Sequence, residues 1–269
     1  MSARTAASLA PGALLAPLRA IAASAGEAIL GVYDGGFDVR TKDDASPVTL
    51  ADEIADRLIV AALRQLTPSI PVVSEETVET SGPAAAGAAR FWLVDPLDGT
   101  KEFIKRNGEF TVNVALVDGG RPVAGVVHIP ALGETFAGAV GAGATLQRRG
   151  ADPAPIRCRP APAEGLTVMT SRSHADNAAL DSFLRGWPVA ARQVAGSSLK
   201  FCRIAEGVAD LYPRLGPTME WDTAAGQAVL EAAGGTVRTF DGARLEYGKA
   251  GYRNPHFLAR GDGSPDRAA

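Results

Sequence analysis

The chain has 269 residues, 46% hydrophobic and 21% charged, with a formal net charge of −3 and a pI near 5.7. These values exclude a disordered chain and allow a large core, built as one two-lobed unit or two small domains. The acidic balance excludes a row of Lys and Arg for nonspecific duplex binding, so affinity for anions has to come from local groups or bound cations.

The Ala- and Leu-rich start is interrupted by Pro11, Pro17 and Arg19, and no basic cluster precedes it. It therefore reads as neither a signal peptide nor a membrane span. From Leu14 onward Leu14, Leu18, Ile21, Ala25, Ala28 and Ile29 fall at helical spacing, predicting an amphipathic helix packed on the body. A second helix is capped by Thr49 or Ser46, with Ile54, Leu58, Ile59, Ala62 and Leu66 recurring every three or four residues. Val72 and Val73 form a short buried strand running into Ser74-Glu75-Glu76, residues 77–89 read as a surface loop, and residues 91–94 are an apolar strand ending at an acid.

Residues 111–117, 123–129 and 135–138, separated by turns at 118–120 and 130–133, predict an antiparallel meander. Residues 143–155 read as a variable loop. Four prolines in residues 150–162 mark a boundary between an N-terminal lobe, 1–155, and a C-terminal lobe, 156–269. Beyond it, strands at 166–170, 189–191 and 209–212 alternate with helices at 178–184, 198–206 and 222–233 before a final strand pair. This alternation predicts a mostly parallel second sheet. The tail, 261–269, reads as disordered. Cys158 and Cys202 form no CxxC pair, which argues against structural zinc and for reduced, inert thiols in a cytoplasmic setting.

The chemistry concentrates at Asp95-Pro96-Leu97-Asp98-Gly99-Thr100. Pro96 lacks an N–H and Gly99 permits a tight turn, so the strand is expected to stop there and both carboxylates to point into one volume, together with the Leu97 carbonyl. A helical turn over 100–105 would then offer the amides of Gly99 and Thr100 to a phosphate. Two carboxylates about 4 Å apart repel by about 4 kcal/mol at an effective dielectric of about 20, so a proton or a cation must relieve them. With oxygen ligands only, the cation is a hard one such as Mg²⁺. Glu75 and Asp222 are candidates to complete the set. Taken singly, Asp222 is either a helix cap or a ligand, Glu75 either a solvated loop acid or a ligand, and the 95–100 segment either a turn or a metal site.

Jointly, Glu75-Glu76, Trp92 through Thr100, and Trp221-Asp222-Thr223-Ala224-Ala225-Gly226 resemble the paired signatures of the inositol monophosphatase superfamily. Lys42, Ser46-Pro47-Val48-Thr49 and Ala51-Asp52 resemble its N-terminal element, and the resemblance spans residues 14–258. The stretches 100–110, 171–176, 196–202 and 211–214 are similar to the CysQ-type bisphosphate nucleotidases. The fold implied is a layered α-β-α-β-α sandwich with an antiparallel N-terminal sheet. The implied activity is Mg²⁺-dependent hydrolysis of the 3′-phosphate of adenosine 3′,5′-bisphosphate, inhibited by lithium, with 3′-phosphoadenylyl sulfate as a further candidate substrate. An inositol monophosphatase, a fructose-1,6-bisphosphatase or a non-catalytic nucleotide sensor are the rival readings.

By that resemblance, one Mg²⁺ is held by Glu75, Asp95 and the Leu97 carbonyl, and a second by Asp95, Asp98 and Asp222; a third, on Glu75, is also implied. Glu75 and Thr100 orient or deprotonate the attacking water, and Asp52 accepts the Thr100 hydroxyl. Ser171 and His174 are implied to face the adenosine, Gly196 and Lys200 the ribose or 5′-phosphate, with Arg214 nearby; Gly99, Thr100 and Asp222 are also expected to touch substrate. Lys and Arg suit a second phosphate that the metals do not neutralise. The implied partner is this small molecule, with no nucleic-acid polymer and no integral membrane segment, and the assembly a monomer or homodimer.

Overall fold

The computed structural model describes residues 10–35, 39–41, 47–78, 88–172 and 177–263. Lys42, Ser46, His174, most of the 77–89 loop and the end of the tail lie outside these residues.

The chain opens with a 3-10 turn, Pro11–Leu14, and helix α1, Leu15–Asp34. Pro17 is tolerated because it sits in the first helical turn, where amides have no intrahelical partner. The inward stripe is Leu15, Leu18, Ala22, Ala25 and Ile29, all buried. By length and composition the segment Pro11–Asp34 would be able to cross a membrane, the only such helix among the described residues. Here it packs on the body of the protein, as its spacing predicts. A two-stranded ribbon, β1 (Val39–Thr41) and β2 (Pro47–Thr49), leads into α2, Leu50–Leu66. Thr49 caps α2, and its backbone N–H is answered by Asp52 in a reciprocal box. The buried stripe of α2 is Ala51, Ala55, Ile59 and Leu63, whereas Leu58 is 42% exposed, one position off the expected face.

Seven strands form the first sheet in sequential order: β3 (Val72–Ser74), β4 (Arg90–Asp98), β5 (Thr111–Asp118), β6 (Arg121–Ile129), β7 (Glu134–Ala139), β8 (Gly143–Arg148) and β9 (Ala154–Ile156). Only the β3–β4 pair is parallel. The strands β8 and β9 correct the loop reading of residues 143–155: both are short and bounded by Gly or Pro, so alternation had little length in which to show. After β4 comes the single-turn helix α3, Thr100–Ile104.

The second sheet is ordered β11-β10-β12-β14-β13, from β10 (Leu166–Ser171), β11 (Val189–Ala195), β12 (Leu211–Arg214), β13 (Thr236–Thr239) and β14 (Phe257–Arg260). It is mixed rather than mostly parallel. The pairs of β10 with β11 and β12 are parallel, and those of β14 with β12 and β13 are antiparallel. The segment between β13 and β14 holds a 3-10 turn but no crossover helix, so the chain returns in the opposite direction.

Helices α4 (Asn177–Phe183), α5 (Leu199–Ala205) and α6 (Glu220–Ala232) complete five layers. Alternation along β4 and β5 shows the layering. Trp92, Val94, Val114 and Leu116 face α1 and α2, while Phe91, Leu93, Ala115 and Val117 join Phe201, Val229 and Leu230 of α5 and α6. The far side of α5 and α6 meets Tyr212, Val237, Phe257 and Ala259 of the second sheet. Leu180 of α4, with Leu184 just beyond it, covers the outer face at Leu166, Val168 and Leu211. Helix α6 lies close on the first sheet because two strand glycines face it. A Cβ on Gly125 would stand 2.7 Å from the Ala225 carbonyl oxygen, and one on Gly138 2.8 Å from the Val229 Cα.

Candidate active site

Strand β4 does not end at Asp95, as the sequence reading expects; pairing with β5 resumes at Asp98. Asp95 lies opposite Asn113 and Asp98 opposite Thr111, so three steps on β4 match two on β5. This is a bulge of one extra residue, placed where Pro96 has no N–H to give the ladder. It has a chemical consequence. In a regular strand residues three apart point to opposite faces; the bulge shifts the phase and turns both carboxylates toward the α5–α6 layer. Leu97 N–H donates to Asp95 Oδ1 at 3.1 Å. Gly99 closes the turn with φ +91°, a left-handed conformation open to glycine, and caps α3.

Three other elements bring acids to this turn. The β3–β4 pairing continues as Glu75 N–H donates to the Val94 carbonyl at 3.1 Å, which seats Glu75 beside Asp95. Asp222 is the third residue of α6, and one of its oxygens accepts from the Met219 N–H at 2.9 Å, so the helix cap and the candidate ligand are the same side chain. One oxygen each from Glu75, Asp95 and Asp222 lie within 4.8 Å of one another. Asp98 stands alongside: its Oδ2 accepts from Ser198 N–H at 2.7 Å and from Asn113 Nδ2 at 3.4 Å. Asp52, at the start of α2, accepts from Thr49 N–H and Oγ1 with one oxygen. Its other oxygen is 3.4 Å from the Thr100 hydroxyl, which is also 3.4 Å from the Leu97 carbonyl.

The electrostatics follow from this crowding. Burial, then repulsion from Glu75, Asp98 and Asp222, pushes the Asp95 carboxyl well above the usual carboxylate range. Asp222 is raised well above it by burial, then by Asp98 and Glu75. Burial also raises Asp98, opposed by Lys200 and by the Ser198 amide. Such a cluster is costly to ionise without a cation. Its donors are all oxygens, which suits a hard divalent ion rather than zinc or copper. The residues present fit a metal centre.

The second lobe approaches from the far side. Lys200 is buried, and its ammonium donates to the Ala195 carbonyl at 3.3 Å and to the Ser197 carbonyl, with the Tyr212 ring 5.2 Å away. The charge sits behind the 195–198 loop, in contact with that loop's carbonyls. Arg214 is also buried; it donates to Ser171 Oγ at 2.6 Å and to the carbonyls of Gly216 and Pro217. Gly196 N–H donates to Glu109 Oε2 at 2.8 Å.

Sequence reasoning did not single out Ser198 or Asn113, both buried. Ser198 Oγ donates to the Asp222 carbonyl and accepts from Asn113 Nδ2 at 3.1 Å, so this pair ties Asp98 to α6. Their positions gave no signal, because the connection exists only once β5, α5 and α6 meet.

The model of the inositol monophosphatase family matches residues 13–261. The 3′(2′),5′-bisphosphate nucleotidase CysQ of Escherichia coli K12 is 47% identical over 248 residues, covering 88% of this chain and 95% of the relative. The CysQ of Haemophilus influenzae is 31% identical, covering 94% of each. Among solved structures, CysQ from Bacteroides thetaiotaomicron, titled a bacterial member of the same family, superposes with a TM-score of 0.79 at 37% identity, covering 93% of this chain and 97% of that one. SuhB from Bartonella henselae follows at 0.74 and 26%, covering 93% and 94%. Sequence, fold and the convergence of acids from β3, β4 and α6 agree: this chain belongs to the inositol monophosphatase family.

Proposed function

We propose that the chain is a Mg²⁺-dependent 3′(2′),5′-bisphosphate nucleotidase that hydrolyses the 3′-phosphate of adenosine 3′,5′-bisphosphate to AMP and phosphate. The observation that carries this reading is the meeting of Glu75, Asp95 and Asp222 oxygens within 4.8 Å, in a chain 47% identical to a CysQ nucleotidase. Glu75, Asp95, Asp98, Asp222 and the Leu97 carbonyl would hold the ions, two or three in number. Bound divalent cations would supply a lowered pKa for water and a Lewis acid at the phosphoryl oxygens.

The chain's own groups then have distinct tasks. Asp52, fixed by Thr49, accepts the Thr100 proton, which turns the Thr100 oxygen into an acceptor for a proton of the attacking water. Glu75 would share in orienting that water. The amides of Gly99 and Thr100, at the start of α3, hold the phosphate oxygens. Water attacks phosphorus in line with the 3′-oxygen, its proton passing to Thr100 and Asp52 while the departing 3′-oxygen takes a proton from solvent water; because water is the nucleophile, no covalent enzyme intermediate forms.

Ser171 and Gly196 would meet the nucleoside, as the family resemblance also implies for His174, and Arg214 and Lys200 would supply positive charge for the 5′-phosphate. In this reading Lys200 acts through the loop that it holds. The thiols Cys158 and Cys202 are free and buried, which suits a reducing, cytoplasmic setting.

The test is phosphate release from adenosine 3′,5′-bisphosphate, inositol 1-phosphate and fructose 1,6-bisphosphate, with Mg²⁺ and with chelator. The expected result is a preference for the nucleotide of about tenfold or more in kcat/KM, abolished by chelation. In the same assay Asp95→Asn should lose activity by orders of magnitude while keeping its circular dichroism. Wild-type turnover by Asp95→Asn would refute the assignment.

A further inference from the structure

Glu109 lies in the segment between α3 and β5, and its carboxylate and carbonyl make a compact set of bonds to the ends of two strands of the second sheet. Its carboxylate accepts two hydrogen bonds from the Arg172 guanidinium, both at 2.7 Å, where β10 ends. It also accepts the Gly196 N–H at 2.8 Å, where β11 ends. The Glu109 carbonyl accepts from Ser197 Oγ at 3.0 Å. One residue of the first lobe therefore holds the exit of two parallel strands of the second.

The seat is close as well as bonded. A Cβ on Gly196 would stand 2.7 Å from the Glu109 carbonyl oxygen and 2.7 Å from Glu102 Cγ, so only glycine lets the loop lie flush. The next residue, Ser197, adopts φ +43°, a left-handed conformation in a non-glycine residue. Such strain persists where surrounding contacts over-determine the backbone. Here those contacts are Ser197 Oγ on Glu109 and Lys200 on the Ser197 carbonyl. Burial acts to raise the Glu109 carboxyl, but the bonds from Arg172 and Gly196 outweigh it and hold the group below the usual carboxylate range.

We propose that Glu109 is a positioning residue for substrate selectivity: it sets the 171–172 and 195–198 loops at the spacing from the 95–100 turn that a nucleoside bisphosphate must span. The inference rests on the nucleotidase reading. A phosphate group alone meets the acid turn and the start of α3. The nucleoside and its second phosphate have to reach the second lobe, so their binding depends on how firmly the lobes are held together. Arg172→Met removes the bidentate half of the latch and leaves the Gly196 half in place.

The experiment compares wild type, Glu109→Gln, Glu109→Ala and Arg172→Met in two measurements. With adenosine 3′,5′-bisphosphate and, in parallel, inositol 1-phosphate, each with Mg²⁺, KM for the nucleotide is expected to rise by about tenfold in Glu109→Ala with kcat within about twofold and KM for inositol 1-phosphate unchanged, and to rise less in Glu109→Gln, which keeps an acceptor for Gly196. Amide hydrogen exchange on the same full-length proteins is expected to show the 195–198 segment losing protection by about tenfold in Glu109→Ala, with β5 and α6 unchanged. A fall in kcat with KM unchanged, or no change in either, would overturn the proposal. So would unchanged exchange at 195–198. If the wild type shows no preference for the bisphosphate, the nucleotidase reading fails, and the exchange result still decides whether Glu109 holds the loop. Glu109→Gln, close in shape to the native side chain, keeps the comparison available if Glu109→Ala does not fold.

Discussion

At the scale of single residues, the site is a set of acids held where ionisation is unfavourable. Burial first, and mutual repulsion second, raise Asp95 and Asp222 well above the usual carboxylate range. The sign of the linkage follows. As pH rises from about 4, the unfolded chain has already lost protons that the folded protein still holds, so metal-free stability falls until the raised carboxyls have ionised. A divalent ion binds the ionised acids and reverses that loss. Added Mg²⁺ should therefore raise Tm more at pH 8 than at pH 5; an equal rise at both, read by thermal shift after chelation, would contradict a metal role for the cluster. The acids themselves were legible, because Asp95 and Asp98 share a short turn and Glu75 and Asp222 each adjoin an apolar element. Asn113 and Ser198 were not: an amide on a buried strand and a hydroxyl before a helix gain a task only from their neighbours.

At the scale of elements, a bulge and a close helix shape the site. The sequence predicts that β4 stops at Asp95, before Pro96. The backbone instead absorbs the missing donor as one extra residue and resumes pairing at Asp98. Period-2 patterning cannot show this, since the bulge is where the period slips. Helix α6, legible from its own spacing, is aimed by Gly125 and Gly138, whose part depends on partners distant in sequence. Gly138→Val should meet the Val229 Cα and the Ala232 Cβ, destabilise the protein by about 1–3 kcal/mol and weaken metal binding, because α6 carries Asp222. Gly31→Ala, with nothing within 4 Å of the new Cβ, should do neither. Thermal melts and a metal titration on both variants check the contrast; intact metal affinity in Gly138→Val would mean that α6 does not aim Asp222.

At the scale of the whole molecule, the Pro-rich segment at 150–162 carries β9, the last strand of the first sheet, and leads into the second sheet without dividing two cores. The core cluster that contains Phe91, Val117 and Phe136 of the first sheet also contains Tyr212, Val237 and Phe257 of the second, joined by α5 and α6. Prolines mark in sequence the passage from one sheet to the next; that α5 and α6 serve both sheets is not visible there, since a helix buried on two sides reads like any apolar helix. Shared packing of this kind predicts one cooperative transition. Tryptophan fluorescence, which reports Trp92 in the first lobe and Trp187 and Trp221 in the second, should melt together with far-UV circular dichroism, and two separated transitions would show lobes that unfold independently.

The position of α6 late in the chain sets an order of events during synthesis. When residues 1–156 have left the ribosome, the seven strands can pair and α1 and α2 can cover one side, yet Phe91, Leu93, Val127 and Phe136 on the other still face water. Only the arrival of residues 199–232 seals that surface, and the same arrival delivers Asp222. The nascent protein is thus without its full acid set, and most prone to stick to its neighbours, over the same interval, and both conditions end together.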